Sequence, residues 1–228
     1  MRPSHRIEIT NDGSPTLVSG IYQTEYHSKH GAVTESLHVF LREGFSFYLD
    51  RYNPKKINLL EYGFGTGLNA YLTALASEKG PFVICDSLEL HPLDRPLIST
   101  FYQKLFPGKK KENSSYFLDI HDSKWNETVG IHPYFTLKKI QTDFRNFTPS
   151  KIYDLVFFDA FGPGTQADLW TEEIFKPLWK NMSEGGVLVT YCVQGDFRRM
   201  LQRVGFDCQK LPGPPGKREM LRAVKKSN

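Results

Sequence analysis

The stretch most able to do chemistry is Leu60-Glu61-Tyr62-Gly63-Phe64-Gly65-Thr66-Gly67-Leu68-Asn69. Glycines at alternate positions permit a tight turn and let a ligand approach the backbone. A dinucleotide site usually reads Gly-x-Gly-x-x-Gly and sets a pyrophosphate at a helix N-terminus. Here the spacing is Gly-x-Gly-x-Gly, and a carboxylate, Glu61, stands just before it. A carboxylate repels a pyrophosphate and suits a ligand with a positive amino group. Three further acids follow apolar runs: Glu89, Asp143 in Thr142-Asp143-Phe144, and Asp159 in Phe157-Phe158-Asp159-Ala160-Phe161-Gly162-Pro163.

S-adenosyl-L-methionine has the matching chemistry, with an ammonium, a sulfonium and ribose hydroxyls but no phosphate. On this reading Gly63, Phe64, Gly65 and Gly67 form the cofactor loop, and Asn69 binds the donor's carboxylate. Glu89 accepts from both ribose hydroxyls and Asp143 from the adenine amino group. Asp159 falls next to the methyl.

The elements that must position these residues are legible from periodicity. Runs at Ile57–Leu60, Phe82–Leu90, Tyr134–Ile140, Leu155–Phe158 and Val187–Tyr191 predict strands, several continuous enough to be buried on both faces. Helical patterns lie between them at Leu68–Ser77, Arg95–Phe106, Thr171–Asn181 and Gly195–Val204. This order predicts an α/β fold with a mostly parallel sheet covered on both faces. Phe206–Leu211 and Glu219–Val224, joined by Pro212-Gly213-Pro214-Pro215-Gly216, predict a C-terminal antiparallel hairpin. At the start, Ile7–Ile9 and Thr16–Val18 around Asn11-Asp12-Gly13-Ser14 predict a small N-terminal hairpin. An amphipathic helix is expected over Ser36–Leu49, interrupted at Gly44. Residues 107–133 show weak periodicity and no assignment. The expected division is an extension over residues 1–50, a hairpin and helix packed on the core, and a catalytic domain over 51–228.

Composition agrees with a globular chain: 228 residues, 39% apolar, 14% aromatic and 24% charged. No apolar run approaches the roughly 18 residues of a membrane helix, and no targeting segment is evident, so a cytoplasmic protein is expected. Three dispersed cysteines, Cys85, Cys192 and Cys208, point to reduced thiols rather than a disulfide framework or a metal site. The net charge of +4 is unevenly spread: residues 196–228 hold nine Lys or Arg against three Asp or Glu, and residues 1–195 hold 20 against 22. A basic C-terminal surface is therefore expected, with phosphate as its partner.

In order along the chain, Asp12-Gly13-Ser14-Pro15-Thr16-Leu17, Tyr26-His27-Ser28, Glu35-Ser36-Leu37-His38-Val39-Phe40, the glycine loop, Phe197-Arg198-Arg199 and Lys217-Arg218-Glu219-Met220-Leu221 form a specific series. The series resembles the tRNA 5-aminomethyl-2-thiouridine methyltransferase family, over almost the whole chain. That resemblance implies a Rossmann-like class I S-adenosylmethionine-dependent methyltransferase that converts the 5-aminomethyl group of the wobble uridine to 5-methylaminomethyl. Its partner would be the tRNA anticodon stem-loop. In many bacteria such a methyltransferase is fused to a flavin oxidase, for which 228 residues leave no room, so a stand-alone enzyme without flavin, metal or membrane is implied. Two departures stand out: Ala160 and Gly162 exchange the small residues of the fourth-strand motif, and Gly213-Pro214-Pro215-Gly216 replaces a more aromatic and basic loop.

The resemblance also implies substrate contacts. Asp159 would receive a hydrogen from the amine, Phe161 would stack on the uracil, and Tyr26 and His27 would line the pocket. Lys217 and Arg218 would reach phosphate, with Glu219 anchoring them by ion pairing. From the residues alone, other readings stay open: a methyltransferase or aminopropyltransferase of small-molecule amines, a non-catalytic RNA-binding domain, or a nicotinamide-dependent oxidoreductase, which Glu61 and the glycine spacing disfavour.

Overall fold

In the computed structural model, residues 5–108 and 114–226 are described. The chain opens with an antiparallel pair, β1 (Arg6–Ile9) and β2 (Pro15–Val18). The turn between them carries Asp12, whose Oδ1 accepts from the Thr10 hydroxyl and the Ser14 N–H, and whose Oδ2 accepts from the Thr34 N–H at 2.9 Å. Thr34 lies in the first turn of the next helix, so Asp12 satisfies from a distance a helix end whose own cap residue, Gly31, has no side chain to offer.

That helix is continuous. It is α-helical over Ala32–Ser36 (α1), widens to a π-helix over Leu37–Ser46, and returns to α over Phe47–Tyr52 (α2). Gly44 does not interrupt it. A Cβ there would meet Val189 at 2.8 Å and Phe157 at 3.1 Å, so glycine marks the close approach of the helix to the sheet.

Then follow β3 (Lys56–Tyr62), α3 (Leu68–Ala76), β4 (Phe82–Glu89), α4 (Arg95–Leu105), α5 (Ser115–Asp122), β5 (Thr128–His132), β6 (Phe135–Gln141), β7 (Tyr153–Phe158), α6 (Glu172–Lys180), β8 (Met182–Thr190), α7 (Gly195–Val204), β9 (Phe206–Pro212) and β10 (Glu219–Lys225). Of the stretch left unassigned, 109–113 lies outside the described residues, and the remainder supplies α5 and β5.

Eight strands form one sheet in the order β5-β6-β4-β3-β7-β8-β10-β9. The run from β6 to β8 is parallel, and β5, β10 and β9 join antiparallel. Alternation along each strand divides two cores. Leu155 and Phe157 pack with the long helix, α3, α4 and α5, and Phe157 meets Phe40 at 5.3 Å between ring centroids. Val156 and Phe158 pack with α6 and α7, and Phe158 meets Phe175 at 4.7 Å. Each such side chain contributes about 1.5–3 kcal/mol by leaving water. Among the described residues no helix is long and apolar enough to cross a membrane, and no group of three acids, histidines or cysteines could hold a metal ion.

Candidate active site

From β3 the chain order runs outward through β4 on one side and β7 on the other, so the sheet switches direction between β3 and β7. Loops leaving strand ends at such a point diverge and leave a crevice. The glycine loop leaves β3 there and Asp159 leaves β7. Their backbones touch: Gly63 has φ +98°, and a Cβ on it would lie 2.5 Å from the carbonyl oxygen of Asp159. Gly67, φ +72°, begins α3 against His121 and Phe64.

A cavity of about 430 Å³ opens over this crevice. Of the residues expected at the site, Tyr26, His27, Gly63, Phe64, Gly65, Asn69, Glu89, Asp143, Asp159, Phe161 and Lys217 line it. Glu61, Gly67, Arg218 and Glu219 do not.

Glu89 accepts the Gly65 N–H on Oε2 at 3.0 Å and the His91 N–H on Oε1 at 2.8 Å. Each oxygen keeps a second lone pair, so the carboxylate is held in place with capacity to accept from a diol. Glu61, 1% exposed, accepts from the Ser87 hydroxyl on Oε2, while its Oε1 has no partner. Burial, with the Asp159 charge adding, pushes Glu61 up to about 8 against the opposing hydrogen bonds from Ser87 and the neighbouring Asn69 side chain. The buried Oδ1 of Asn69 is also unpartnered. A positive-φ glycine cradle, the cavity-lining Asn69 with its unpartnered Oδ1, the pre-oriented Glu89 carboxylate and the acidic Glu61 buried behind them fit a ligand bearing an ammonium and a ribose.

Asn69 has a further task, because its Nδ2 donates to Asp159 Oδ2 at 2.9 Å. One of the N–H groups expected to meet the donor's carboxylate thus aims Asp159 instead. Asp159 is pushed up to about 7, mainly by burial and then by the nearby Glu35 charge, while Asn69 and Lys217 oppose the rise. Asp143 is already engaged: Oδ1 accepts the Arg145 backbone N–H and Nε–H, Oδ2 accepts from Nη2, and this pairing holds its carboxyl below the usual range. Arg145 also donates to Asp168 Oδ2 at 2.7 Å, tying the β6 end to the loop after β7.

The opposite wall is aromatic. Phe161 lies 4.9 Å from Tyr22 and 5.0 Å from Tyr26, and Gln166 Nε2 donates to the Tyr22 hydroxyl at 2.9 Å. Tyr22 and Gln166 carry no motif and were not expected. His27 contacts the Thr16 hydroxyl through Nδ1 at 3.1 Å and the Thr66 hydroxyl through Nε2 at 3.4 Å, joining β2 to the glycine loop. Burial lowers it to about 4.

Behind the loop, His121 Nε2 donates to the Thr66 carbonyl at 2.9 Å, and Lys139 Nζ donates to the His121 carbonyl at 2.8 Å. Lys139 is 1% exposed, 4.9 Å from the Trp125 ring centroid. A signal for it existed: Phe135, Leu137 and Lys139 share one face of β6, and the first two are core residues.

The C-terminal charges depart most from expectation. Glu219 pairs with Lys210 across the hairpin at 2.7 Å, not with Lys217 or Arg218. Lys217 turns inward to Glu35, and Arg218 remains exposed. Arg222 is 8% exposed, paired with Glu43 and stacked 3.5 Å from the Phe47 ring centroid. Arg199 pairs with Asp196 and Arg203 with Glu172. Of the excess of six cations, three are matched by acids of other segments, Arg203 by Glu172, Lys217 by Glu35 and Arg222 by Glu43, which halves the basic surface expected there.

The fold and this site define an S-adenosyl-L-methionine-dependent methyltransferase. The profile of a family of that description matches residues 111–226, half of the chain, and the chain belongs to that family. At full length it is similar to the tRNA 5-methylaminomethyl-2-thiouridine biosynthesis bifunctional protein MnmC of Aromatoleum aromaticum, with 30% identity over 95% of this chain and 35% of the relative. The same-named protein of Cupriavidus metallidurans is 29% identical over 93% of this chain and 32% of the relative. The chain thus spans about a third of these relatives. The crystal structure of MnmC2 from Aquifex aeolicus superimposes with a TM-score of 0.81 at 26% identity, covering 99% of this chain and 72% of that one. Spermidine synthase from Thermotoga maritima shares the fold, with a TM-score of 0.60 at 15% identity.

Proposed function

We propose that this chain methylates the 5-aminomethyl group of a tRNA wobble uridine, giving 5-methylaminomethyl-(2-thio)uridine. The observation that carries the reading is a cavity with a glycine cradle at one end, an aromatic wall at the other, and a half-buried carboxylate, Asp159, between them. The names of its relatives supply tRNA as the substrate class. The reaction would take place in the cytoplasm, on the anticodon stem-loop. Residues 1–50 would serve as an extension that completes the pocket of the 51–228 domain.

When bound, S-adenosyl-L-methionine supplies an electrophilic methyl group on a sulfonium. Gly63 and Gly65 would admit it to the backbone, Glu89 would accept from its ribose hydroxyls, and Glu61 with Asn69 would answer its amino-acid end. The residues around Asp159 prepare the amine. An alkylammonium has no lone pair and a reference pKa of roughly 10.4, so it must lose a proton before forming the new N–C bond. An ordinary aspartate lies about six units below that value. Asp159, pushed up to about 7, narrows the gap to roughly three and is held by Asn69 in one orientation. It would take the proton or share it, aiming the lone pair at the methyl. Phe161 and Tyr22, with Tyr26 behind, would stack on a uracil flipped from the anticodon loop. Arg218 would remain outside for phosphate.

Nucleoside mass analysis of tRNA from cells lacking the protein tests this. Accumulated 5-aminomethyl uridines, cleared by adding the purified protein and S-adenosyl-L-methionine, are the expected result. An unchanged wobble profile would refute it.

A further inference from the structure

One side of the cavity is closed by two residues that the proposed reaction leaves unused. Glu35 comes from α1, and Lys217 from the loop joining β9 to β10. They are ion-paired, Lys217 Nζ to Glu35 Oε1. Each is also held from a second direction. Glu35, 6% exposed, accepts the Ser28 N–H on Oε2 at 2.7 Å. Lys217 Nζ lies 4.1 Å from the centroid of the Tyr191 ring, whose hydroxyl donates to the Ala160 carbonyl at 2.8 Å, one residue from Asp159. A carboxylate this buried is costly unless paired, so the lysine is needed wherever the acid is retained.

We propose that Glu35 and Lys217 are a positioning pair for Asp159, and that seating of the 213–218 loop, which delivers the lysine, sets whether Asp159 meets the amine as a carboxylate. This rests on the reading of Asp159 as the group that receives the amine. Asn69 from α3 donates to Asp159, and Glu35 from α1, Tyr191 after β8 and Lys217 from the hairpin loop line the same cavity wall, with Glu61 of β3 buried nearby. Glu35 favours the protonated acid and Lys217 the carboxylate. With the loop seated the two oppose each other. With it lifted, Glu35 and Asp159 are neighbouring acids without a counter-cation, and the pair retains a proton to higher pH. A substrate that presses on the loop would thereby switch on its own acceptor.

The test is a carbon-13 NMR titration of the Asp159 carboxyl in the protein without ligands, its signal identified by loss in Asp159→Asn. Glu35→Gln, which preserves shape and the Ser28 hydrogen bond, should move the midpoint down by on the order of one pH unit. Lys217→Met should move it up by a similar amount, and Lys217→Gln serves if the Met variant does not fold. A midpoint unmoved in Glu35→Gln, or displaced with the opposite sign in either variant, overturns the proposal. Turnover with tRNA carrying the 5-aminomethyl group should then show the acid limb of kcat moving in the same directions, with KM for S-adenosyl-L-methionine unchanged. The titration needs no substrate, so absence of turnover would count against the tRNA reading while the midpoints still judge the pair.

Discussion

Replacing Gly63 by alanine tests the claim that the glycine loop is a backbone cradle. Two costs follow from its geometry. At φ +98° an L-residue is strained, on the order of 1–2 kcal/mol. The new Cβ would also stand 2.5 Å from the Asp159 carbonyl oxygen, well inside ordinary contact, so the loop must withdraw from the β7 tip at a further cost of about 1–3 kcal/mol. A total of about 3 kcal/mol corresponds to a fall of roughly 6–12 °C in Tm for a chain of this size. Because Gly63 lines the cavity, part of the displacement falls on the ligand side, and affinity for S-adenosyl-L-methionine should drop about a hundredfold. Calorimetric titration and thermal unfolding read the two effects separately. Gly130→Ala is the control, since that glycine lies in β5 with ordinary φ and open space around it. Wild-type affinity in a folded Gly63→Ala protein would refute the cradle.

Three other outcomes are expected. Asp159→Asn should bind S-adenosyl-L-methionine within a few-fold of wild type while kcat falls by at least about a hundredfold, and in the wild-type enzyme kcat/KM should decline below a pH near 7 as Asp159 takes up its proton; a rate independent of pH from 5 to 8 would contradict this. Burial pushes Lys139 down to about 8 from a usual 10.5, so the unfolded chain holds that proton more tightly. Stability should rise as pH climbs from 8 towards 10.5, and urea unfolding of Lys139→Met should lose that slope. His121, lowered to about 4 from 6.5, stays neutral in the fold while the unfolded chain protonates. The protein should therefore lose stability as pH falls from 6.5 to 4, with a shallower loss in His121→Gln seen by the same unfolding method.

The parallel strands were legible because strands buried on both faces read as continuous apolar runs, and the glycine loop was legible because its backbone demands a particular residue type. The π-helical segment was not, because Gly44 reads as a breaker until Val189 and Phe157 are known to lie against it. The charge count overstated the basic surface for a related reason. Arg222 carries the same formal charge in a sequence whether it faces solvent or, as here, Glu43 and the Phe47 ring. Asp159 and Glu89 announced themselves as strand-end acids, but Glu35 sits unremarkably in a helix, and only contact with a residue near the other end of the described chain gives it a place in the site.

That contact bears on how the enzyme comes to exist as a working object. The cavity wall is assembled from the segment before α1, the glycine loop, the ends of β4, β6 and β7, and the hairpin loop after β9. The loops nearest β3 can form once the parallel strands pair, whereas the Lys217–Glu35 closure needs α1 and the β9–β10 loop together. Non-local closures of this kind are late in folding and are among the first to open in partial unfolding. Methyl transfer is therefore a more stringent reporter of the finished molecule than its secondary structure or its affinity for S-adenosyl-L-methionine: a population with the 213–218 loop unseated would retain both and turn over more slowly near neutral pH.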